Sequence, residues 1–245
     1  RFVADLGGRP APHAAVDSRA DLDAAMERIG TPGILKTRGE GYDGKSQWRL
    51  RDVRDADGVG AISQPAIYEG FVTFEAEFSV ILVRGQDGAI RFWDSSRNIH
   101  EDGILNASVL PAGEMVERQV EDARALSRQV AEALRYVGVL TLEFFATRDG
   151  PVFNEMAPRV HNSGHWTIEG AATSQFANHM RAVAGLPLGV TDTIAPQLRM
   201  ENLIGPQANT AHELLSEPDL HLHLYGKAKA RDGRKMGHVT RITRA

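Results

Sequence analysis

The 245-residue sequence contains no cysteine, which excludes disulfides, Cys-ligated zinc and a thiol nucleophile. No apolar run approaches the roughly 20 residues of a spanning helix, and residues 1–6 lack the apolar segment of a signal peptide. Positive charge is not in excess, since the formal net charge is −4, and polyanion binders usually carry a basic face. We therefore expect a soluble, cytoplasmic protein without nucleic-acid or membrane partners.

Helical and strand-like segments alternate along the chain without internal repeats, which predicts an α+β fold. Ser18 with Asp21 forms a helix-start signature, and Gly30 ends the helical pattern. A longer helix is predicted between Val116 and Leu134. Strands are predicted at residues 33–37, 46–50, 66–72, 77–83 and 89–93.

The predicted domain organisation has four parts: a linker at 1–13, a small α/β subdomain at 14–73, a larger subdomain at 74–190 and a β-rich region at 191–245. The chain starts at Arg1 and ends directly after a strand-like run. We interpret it as a piece of a longer protein.

Two short apolar runs, residues 137–146 and 151–156, carry the most informative residues of the chain. The turn between them contains glycine, which predicts a hairpin in which Glu143 and Glu155 face each other. Two carboxylates beside the amide of Asn154 suit a hard divalent cation such as Mg²⁺, which also bridges substrate phosphates. The hairpin therefore indicates nucleotide chemistry.

The glycine-rich loop at residues 41–47 could cradle phosphates through its backbone N–H groups, with Lys45 adding positive charge. Residues 39–46 also match the pattern GxxxxGK[ST], but a true P-loop precedes a long helix and a strand is predicted here. A phosphate loop and an ordinary hairpin tip remain equally compatible with this segment. Taken singly, Lys36 reads as a solvated lysine, and Glu69 and Glu77 as solvent-facing glutamates.

Two further polar segments have alternative interpretations. His161 and His165 have the spacing of zinc ligands on a helix, but the intervening Gly164 disfavours a helix, so we predict either a loop that contacts an anion or sugar or a self-satisfied turn. Residues 227–235 carry five positive charges against one negative. They are either a solvated surface or a strand–turn–strand that brings Lys227 and Arg234 together around a phosphate.

Seven segments in sequence order resemble the N5-carboxyaminoimidazole ribonucleotide synthetase family of ATP-grasp enzymes. They are Lys36, GYDGKSQ (41–47), EGFVTFEAE (69–77), RNIHEDGIL (97–105), LEFF (142–145), FNEMAPRVHNSGHWT (153–167) and YGKAKARDGRKMGH (225–238). The resemblance covers nearly the whole chain. LEFF and FNEMAPR are shared by ATP-grasp enzymes broadly, whereas RVHNSGHWT and YGK with GRKMGH narrow the resemblance to this purine-biosynthesis family.

The resemblance implies an ATP-grasp fold with a small α/β lid subdomain, a larger antiparallel-sheet subdomain and a small C-terminal β-rich region. It implies a ligase of IMP biosynthesis that uses ATP to convert bicarbonate to carboxyphosphate and carboxylates 5-aminoimidazole ribonucleotide, releasing ADP and phosphate. Mg²⁺ or Mn²⁺ as cofactor, a homodimer, and an N-terminal α/β domain absent from this chain are also implied.

The resemblance also assigns roles to individual residues. Glu143 and Glu155 match the metal ligands. The ATP contacts would be Lys36, Gly41, Tyr42, Asp43, Gly44, Lys45, Ser46, Gln47, Glu69, Gly70, Phe71, Val72, Glu77, His100, Asn154 and Glu155. The ribonucleotide and intermediate would be held by Tyr42, Arg159, His161, Asn162, Ser163, Lys227, Arg234 and Lys235, with Asp43, Lys227 and Arg234 as catalytic candidates. Ser46 departs from the family pattern, which has glycine there.

Other function classes share parts of this pattern. Another ATP-grasp ligase, of the glycinamide ribonucleotide transformylase or biotin carboxylase type, would carry the same acidic site. A noncatalytic nucleotide-binding module would retain the fold without turnover. Nucleic-acid binding through residues 227–235 is a third alternative, which would show a steep salt dependence.

Overall fold

A computed structural model describes residues 1–39 and 47–243 of the chain. The residues divide into two compact units, a smaller unit of Arg9–Thr73 and a larger unit that combines Arg1–Gly8 with the chain from Phe74 onward. Each unit is described by itself below.

The helices and strands are numbered in chain order. The helices are α1 (Phe2–Asp5), α2 (Arg19–Ile29), α3 (Glu114–Glu117), α4 (Val120–Ala133), α5 (Thr167–Gly170), α6 (Gln175–Val183) and α7 (Ala211–Leu214). The strands are β1 (His13–Val16), β2 (Gly33–Thr37), β3 (Gln47–Leu50), β4 (Ala66–Gly70), β5 (Ala76–Arg84), β6 (Ile90–Phe92), β7 (Ser96–Glu101), β8 (Ile104–Leu110), β9 (Gly138–Thr147), β10 (Gly150–Ala157), β11 (Gln197–Ile204), β12 (Leu220–Leu224) and β13 (Lys235–Thr243). Short 3₁₀ helices cover Val53–Gly58, Asn162–Gly164 and Gly205–Thr210.

The smaller unit is an antiparallel sheet in the order β1-β4-β2-β3 with α2 packed on it. The Ser18 side chain caps α2 by accepting a hydrogen bond from the backbone N–H of Asp21, and the helix ends at Gly30. These features confirm the helix predicted from the sequence. The apolar side of α2 places Leu22 and Met26 against Leu35 and Tyr68 of the sheet, which forms the core of this unit.

The larger unit contains an antiparallel sheet in the order β10-β9-β5-β7-β8-β11-β13-β12, with β6 paired to β5. Helix α4 packs on one face of this sheet, where Phe78 and Phe144 are buried. Helix α6 packs on the opposite face, beside a second apolar cluster that contains Trp93 and Trp166. Alternation along each strand therefore divides side chains between two covered faces.

The predicted helix between Val116 and Leu134 is divided in the structure. Helix α3 ends at Glu117 and α4 begins at Val120. The break follows from Gln119, whose buried side-chain amide donates to the carbonyls of Met115 and Thr147. Gln119 belongs to neither helix, and these two hydrogen bonds hold it at the break between them.

The structure tests several interpretations that were made from the sequence. The strand β3 begins at Gln47, which confirms the strand that the sequence predicts there in place of the long helix of a P-loop. Residues 191–245 contribute β11, β12 and β13 to the same sheet as the preceding region, and α1 buries Val3 in that unit's core. The four-part domain division stays a prediction. Within the part of the chain that the structure describes, no helix combines the length and apolar character of a bilayer crossing.

The cap of α2 gives a direct stability prediction. Replacing Ser18 with alanine removes the acceptor for the N–H of Asp21, so we expect the free energy of unfolding to fall by about 1 kcal/mol. Urea denaturation would measure this loss. Ser63→Ala, at an exposed loop position, serves as the matched control, and an equal loss in both variants would contradict the capping role.

Candidate functional site

The site is built around the hairpin of β9 and β10, which pairs Glu155 directly opposite Glu143 as the sequence predicts. Leu142 and Phe144 point into the apolar core, so Glu143 between them points to the opposite face. The register shifts between Phe153 and Glu155, which places Asn154 at a β-bulge. The bulge changes the direction of the end of β10. Glu155, directly after the bulge, pairs with Glu143 on β9.

The two carboxylates differ in environment. Glu143 is 8% exposed, whereas Glu155 is exposed. Burial, together with the negative charge of Glu155, raises the pKa of Glu143 to about 7, against the smaller opposing influence of His100. Two like charges across a strand pair destabilise one another. The pair is therefore a place where a cation would be strongly attracted.

A buried network of neutral polar side chains supports Glu143. The Ser79 hydroxyl donates to Glu143 Oε1 at 3.3 Å and accepts from Asn98 Nδ2 at 2.6 Å. Ser108 donates to Asn98 Oδ1 at 3.0 Å, and Ser163 donates to Ser79 at 2.9 Å. These groups lie on β5, β7, β8 and the 162–164 turn. They hold the Glu143 carboxylate in place through side chains that are themselves uncharged.

Glu77 and His100 form an ion pair beside Glu143, with Nδ1 and Oε2 2.9 Å apart. The alignment is that of a charge contact rather than a linear hydrogen bond. Desolvation alone would lower the pKa of His100, but its close contact with Glu77 and the charge of Glu143 raise it. This histidine is thus held toward its cationic form next to the acidic pair.

The acidic pair fits an Mg²⁺ ion by its donor set. Among residues 1–39 and 47–243, no group of three or more histidine or carboxylate side chains is arranged to hold a metal. Mg²⁺ is commonly bound by one or two carboxylates, with waters and substrate phosphates completing its shell. Glu143 and Glu155 therefore have the donor chemistry of an Mg²⁺ site.

In the smaller unit, Lys36 and Glu69 form an ion pair with Nζ and Oε2 2.7 Å apart. Both side chains are about three-quarters covered, at 24% and 23% exposed, so neither is the freely solvated group that its isolated sequence context suggests. Gln47 lies across from Lys36 on β3. Phe71, two residues after Glu69, is exposed and carries the Arg49 guanidinium 4.8 Å from its ring centroid.

Part of the predicted nucleotide and substrate contacts lies outside the described residues. These are Gly41, Tyr42, Asp43, Gly44, Lys45 and Ser46. Their predicted roles stay predictions.

The His161 to His165 segment is a short 3₁₀ turn and not a helix, in agreement with the sequence analysis. His161 lies 3.6 Å from Glu143 and 2.8 Å from the hydroxyl of Ser163. Burial, followed by the charges of Arg159 and Lys235, lowers the pKa of His161 to about 3. Ser163 is fully buried, so its hydroxyl supports the site from within, whereas Arg159 is exposed at the rim.

The basic residues after β12 approach the same region. The Lys227 ammonium donates to the backbone carbonyl of Lys235 and lies 5.4 Å from the ring centroid of Tyr225. Arg234 is exposed and donates to the carbonyl of Lys229 at 3.3 Å. The charge of Lys235 lowers the pKa values of both His161 and His165. Cationic side chains from the end of the chain thus lie near the loop that follows the acidic hairpin.

Sequence reasoning missed the neutral groups that hold the site together. Ser79 faces Glu143 across β5 and β9, and Asn98 and Asn202 are buried amides in strands. A single serine inside the apolar run of β5 is the one local signal that could have indicated such a role, because an unpaired buried hydroxyl is costly. The partners themselves lie too far along the chain to be inferred from spacing.

Comparison with known proteins places this geometry in a family. Residues 1–176 match the model of the ATP-grasp domain, and residues 199–245 match the phosphoribosylaminoimidazole carboxylase C-terminal domain. The chain therefore belongs to the ATP-grasp class. It is similar to the N5-carboxyaminoimidazole ribonucleotide synthases of Brucella melitensis, at 49% identity over 99% of this chain and 68% of the relative, and of Pseudomonas aeruginosa, at 50% over 96% and 64%. Within its class, the chain is a member of the N5-carboxyaminoimidazole ribonucleotide synthase family.

Solved structures agree with this assignment. The N5-carboxyaminoimidazole ribonucleotide synthetase of Thermus thermophilus is 45% identical with a TM-score of 0.89, covering 100% of this chain and 66% of its own. The synthase of Aspergillus clavatus, solved with ADP and 5-aminoimidazole ribonucleotide, is 30% identical with a TM-score of 0.90, covering 99% and 66%. The chain thus spans about two thirds of the length of these relatives.

The buried carboxylate predicts a pH-dependent cost of folding. The pKa of Glu143 is raised in the folded protein, so its contribution is favourable below its unfolded pKa of 4.5 and is lost as the pH rises through about 7. In the absence of divalent cations, we expect Glu143→Gln to be more stable than the parent at pH 8 by about 1–3 kcal/mol, with the difference vanishing near pH 4.

Urea denaturation across this pH range would measure the difference. Glu114→Gln is the matched control, because its side chain is 83% exposed and an exposed ion pair contributes little. A Glu143→Gln variant that is less stable at pH 8 than at pH 4, relative to the parent, would contradict the raised pKa.

Proposed function

We propose that this chain carries the ATP-dependent site that carboxylates 5-aminoimidazole ribonucleotide with bicarbonate, giving N5-carboxyaminoimidazole ribonucleotide, ADP and phosphate in IMP biosynthesis. The observation that carries the proposal is the opposed pair Glu143 and Glu155 with cationic side chains close by. Family membership supports it, because the relatives are named for this reaction product.

The electrostatics of the larger unit suit several anions held together. ATP, bicarbonate and a ribonucleotide phosphate are all negatively charged, and each needs positive groups or a metal beside it. Arg159, Lys227, Arg234 and Lys235 supply that charge near the acidic hairpin, and the influence of Lys235 on His161 supports this placement. We assign these cations, with Tyr42, His161, Asn162 and Ser163, to the ribonucleotide and bicarbonate.

The nucleotide contacts are assigned residue by residue from the family resemblance. Lys36, Lys45 and the rest of the glycine-rich segment would hold phosphates. Glu69 to Val72 would contact the adenine, Glu77 the ribose and His100 the nucleotide. The ion pair between Glu77 and His100 supports the assignment of Glu77. It holds the Glu77 carboxylate in one position, as an acceptor for a ribose hydroxyl requires.

Glu143 and Glu155, with Asn154 alongside, would hold the Mg²⁺ ion, for which Mn²⁺ can substitute. When bound, the metal neutralises charge on the phosphates of ATP. The two carboxylates remain oriented by the Ser79 network and the bulge at Asn154. This chain's own contribution is therefore a pair of oxygen ligands whose positions are set by the hairpin.

The chemistry takes place in two transfers. A bicarbonate oxygen attacks the γ-phosphorus of ATP, the bond to ADP breaks, and carboxyphosphate forms. Phosphate leaves, and the exocyclic amine of the ribonucleotide forms a bond to the carboxyl carbon, carried either by carboxyphosphate itself or by the carbon dioxide that it releases, and loses a proton. Asp43 and Lys227 are our candidates for orienting the amine and the intermediate, and Lys227 and Arg234 would stabilise the negative charge on the carboxyl and phosphate oxygens.

The solved Aspergillus clavatus synthase contains ADP and 5-aminoimidazole ribonucleotide, and other solved relatives contain ADP. These ligands support the same substrates for this chain. A homodimeric state, a cytoplasmic location and the use of bicarbonate also belong to the proposal, since they rest on the family resemblance.

The function is tested by measuring ADP release from Mg²⁺-ATP and bicarbonate, with and without 5-aminoimidazole ribonucleotide. We expect the ribonucleotide to stimulate ADP release and one carboxylated product to form per ADP. Stimulation only by formate with glycinamide ribonucleotide would overturn the proposal in favour of a different ATP-grasp ligase.

The metal assignment has its own test. We expect Glu155→Gln to lower kcat by about 10²-fold or more, because a lost charge at the phosphoryl-transfer site weakens transition-state stabilisation. Mg²⁺-ATP affinity, measured by calorimetry, should fall as well. Glu114→Gln is again the control. Unchanged affinity in Glu143→Gln and Glu155→Gln together would favour a noncatalytic module and refute the metal assignment.

A further inference from the structure

We propose that Tyr225 is a positioning residue for Lys227, and that a chain of neutral side chains from the carbonyl of Leu105 to His238 fixes the orientation of its hydroxyl. The proposal deepens the proposed function, because it rests on Lys227 acting as a ligand for the carboxylated substrate. The chain of hydrogen bonds lies wholly within the larger unit.

Lys227 has two contacts that set its position. Its ammonium donates to the carbonyl of Lys235 and lies over the face of the Tyr225 ring, 5.4 Å from the centroid. Between the two residues, Gly226 has φ +65°, a conformation that turns the chain out of the sheet direction. The ring of Tyr225 is therefore a surface against which a long, flexible side chain is held.

The direction of these hydrogen bonds is set first at Asn202, whose side-chain amide can have only one orientation. Asn202 Nδ2 donates to the backbone carbonyl of Leu105 at 2.8 Å, so the nitrogen and oxygen of this amide are fixed. Asn202 and Asn162 then pair reciprocally, with Nδ2 to Oδ1 distances of 2.7 and 2.9 Å. The amide of Asn162 is consequently fixed as well, and its nitrogen is the atom next to His165.

The tautomers of two histidines follow from this order. Asn162 Nδ2 is 3.2 Å from His165 Nδ1, and an amide nitrogen can only donate. His165 Nδ1 is therefore an acceptor, and its proton lies on Nε2. The Tyr225 hydroxyl, 3.0 Å from the same nitrogen, must donate to it.

The Tyr225 hydroxyl has one proton, which it donates to His165. In its contact with His238 it must therefore accept a hydrogen bond. His238 Nδ1 lies 2.8 Å from the Tyr225 oxygen, and it must therefore be the donor. His238 then has an unprotonated Nε2. Among the residues that the structure describes, that nitrogen is buried without a hydrogen-bond partner, which is less costly for a lone pair than for an N–H group.

Burial supports the neutral state that these tautomers require. Desolvation, followed by the charges of neighbouring histidines, lowers the pKa of His165 to about 4 and that of His238 to about 3. His238 also stacks on His223, with centroids 4.6 Å apart, and Glu169 contacts the far nitrogen of His223 at 2.5 Å. The tyrosine is thus held from both sides by rings that are themselves fixed.

The hydrogen-bond chain is tested by ¹⁵N NMR of the histidine rings, which distinguishes the two neutral tautomers. We expect the Nε2–H form for His165 and the Nδ1–H form for His238. In Tyr225→Phe, His238 loses its acceptor, so its preference for the Nδ1–H form should weaken and a mixture of tautomers appear, while His165 keeps its tautomer through Asn162. His179 is the internal reference, because the N–H of Val139 donates to its Nδ1 and fixes the Nε2–H form.

The positioning of Lys227 is tested separately by spectroscopy and kinetics. Tyr225→Leu should abolish the ring-current shift of the Lys227 ε-methylene, whereas Tyr225→Phe should retain most of it. The KM for 5-aminoimidazole ribonucleotide should rise about three- to tenfold in Tyr225→Leu, the size of a lost cation–π contact, with less change in Tyr225→Phe and none in the KM for ATP. His179→Gln serves as the control variant for fold and activity.

A double-mutant comparison gives the decisive result. If Tyr225 acts through Lys227, Tyr225→Leu should add nothing to the effect of Lys227→Met. Additive effects, or a Nε2–H tautomer at His238 in the parent protein, would overturn the proposal. Absence of ribonucleotide-stimulated turnover with the expected tautomers and ring-current shift would instead reject the proposed function and leave the positioning of Lys227 intact.

Discussion

The opposition of Glu143 and Glu155 across one hairpin is the constraint on which the site depends. Leu142 and Phe144 fill the apolar core beneath the hairpin, and a slip of one residue would bring Glu143 into that core. Burial of the apolar neighbours therefore holds two like charges opposite each other on neighbouring strands. The same register places the two carboxylates that we propose as metal ligands opposite each other on neighbouring strands.

The histidines around the hairpin fall into two groups with opposite electrostatics. His100 has a carboxylate on either side, Glu77 and Glu143, and its pKa is raised despite its burial. His161, His165 and His238 are buried without a comparable anion among the causes of their shifts, and their pKa values are lowered. The first group can supply charge to a ligand. The histidines of the second group are neutral, so they can only orient neighbouring groups through hydrogen bonds of fixed direction.

The sequence predicts those parts of the fold that depend on local patterns. The helix cap at Ser18, the β9–β10 hairpin and the pairing of Glu143 with Glu155 are all read from spacing, and the structure confirms them. The division of the helix at Gln119 was not predictable, because its cause is a hydrogen bond to Thr147, 28 residues away. Apolar periodicity continues through that break and conceals it.

The supporting network was beyond sequence reasoning for the same reason. Ser79 and Glu143 are separated by 64 residues, and Asn162 and Asn202 by 40. A serine or asparagine in a strand has no local pattern that names its partner, since the partner is chosen by sheet order. The acidic and basic residues were identifiable because their chemistry is characteristic, whereas the neutral ones become meaningful only once β5, β9 and β11 occupy one sheet.

Glu143 and Glu155 differ in solvent exposure because they occupy different positions relative to the hydrogen-bond network. Glu143 is held by Ser79 at the centre of the network, while Glu155, past the bulge, is exposed. A buried ligand loses little conformational entropy when a cation binds, and an exposed one can adjust to the ligand that accompanies the metal. In the metal site that we propose, one fixed oxygen donor and one adjustable donor would allow binding without requiring the hairpin to change its register.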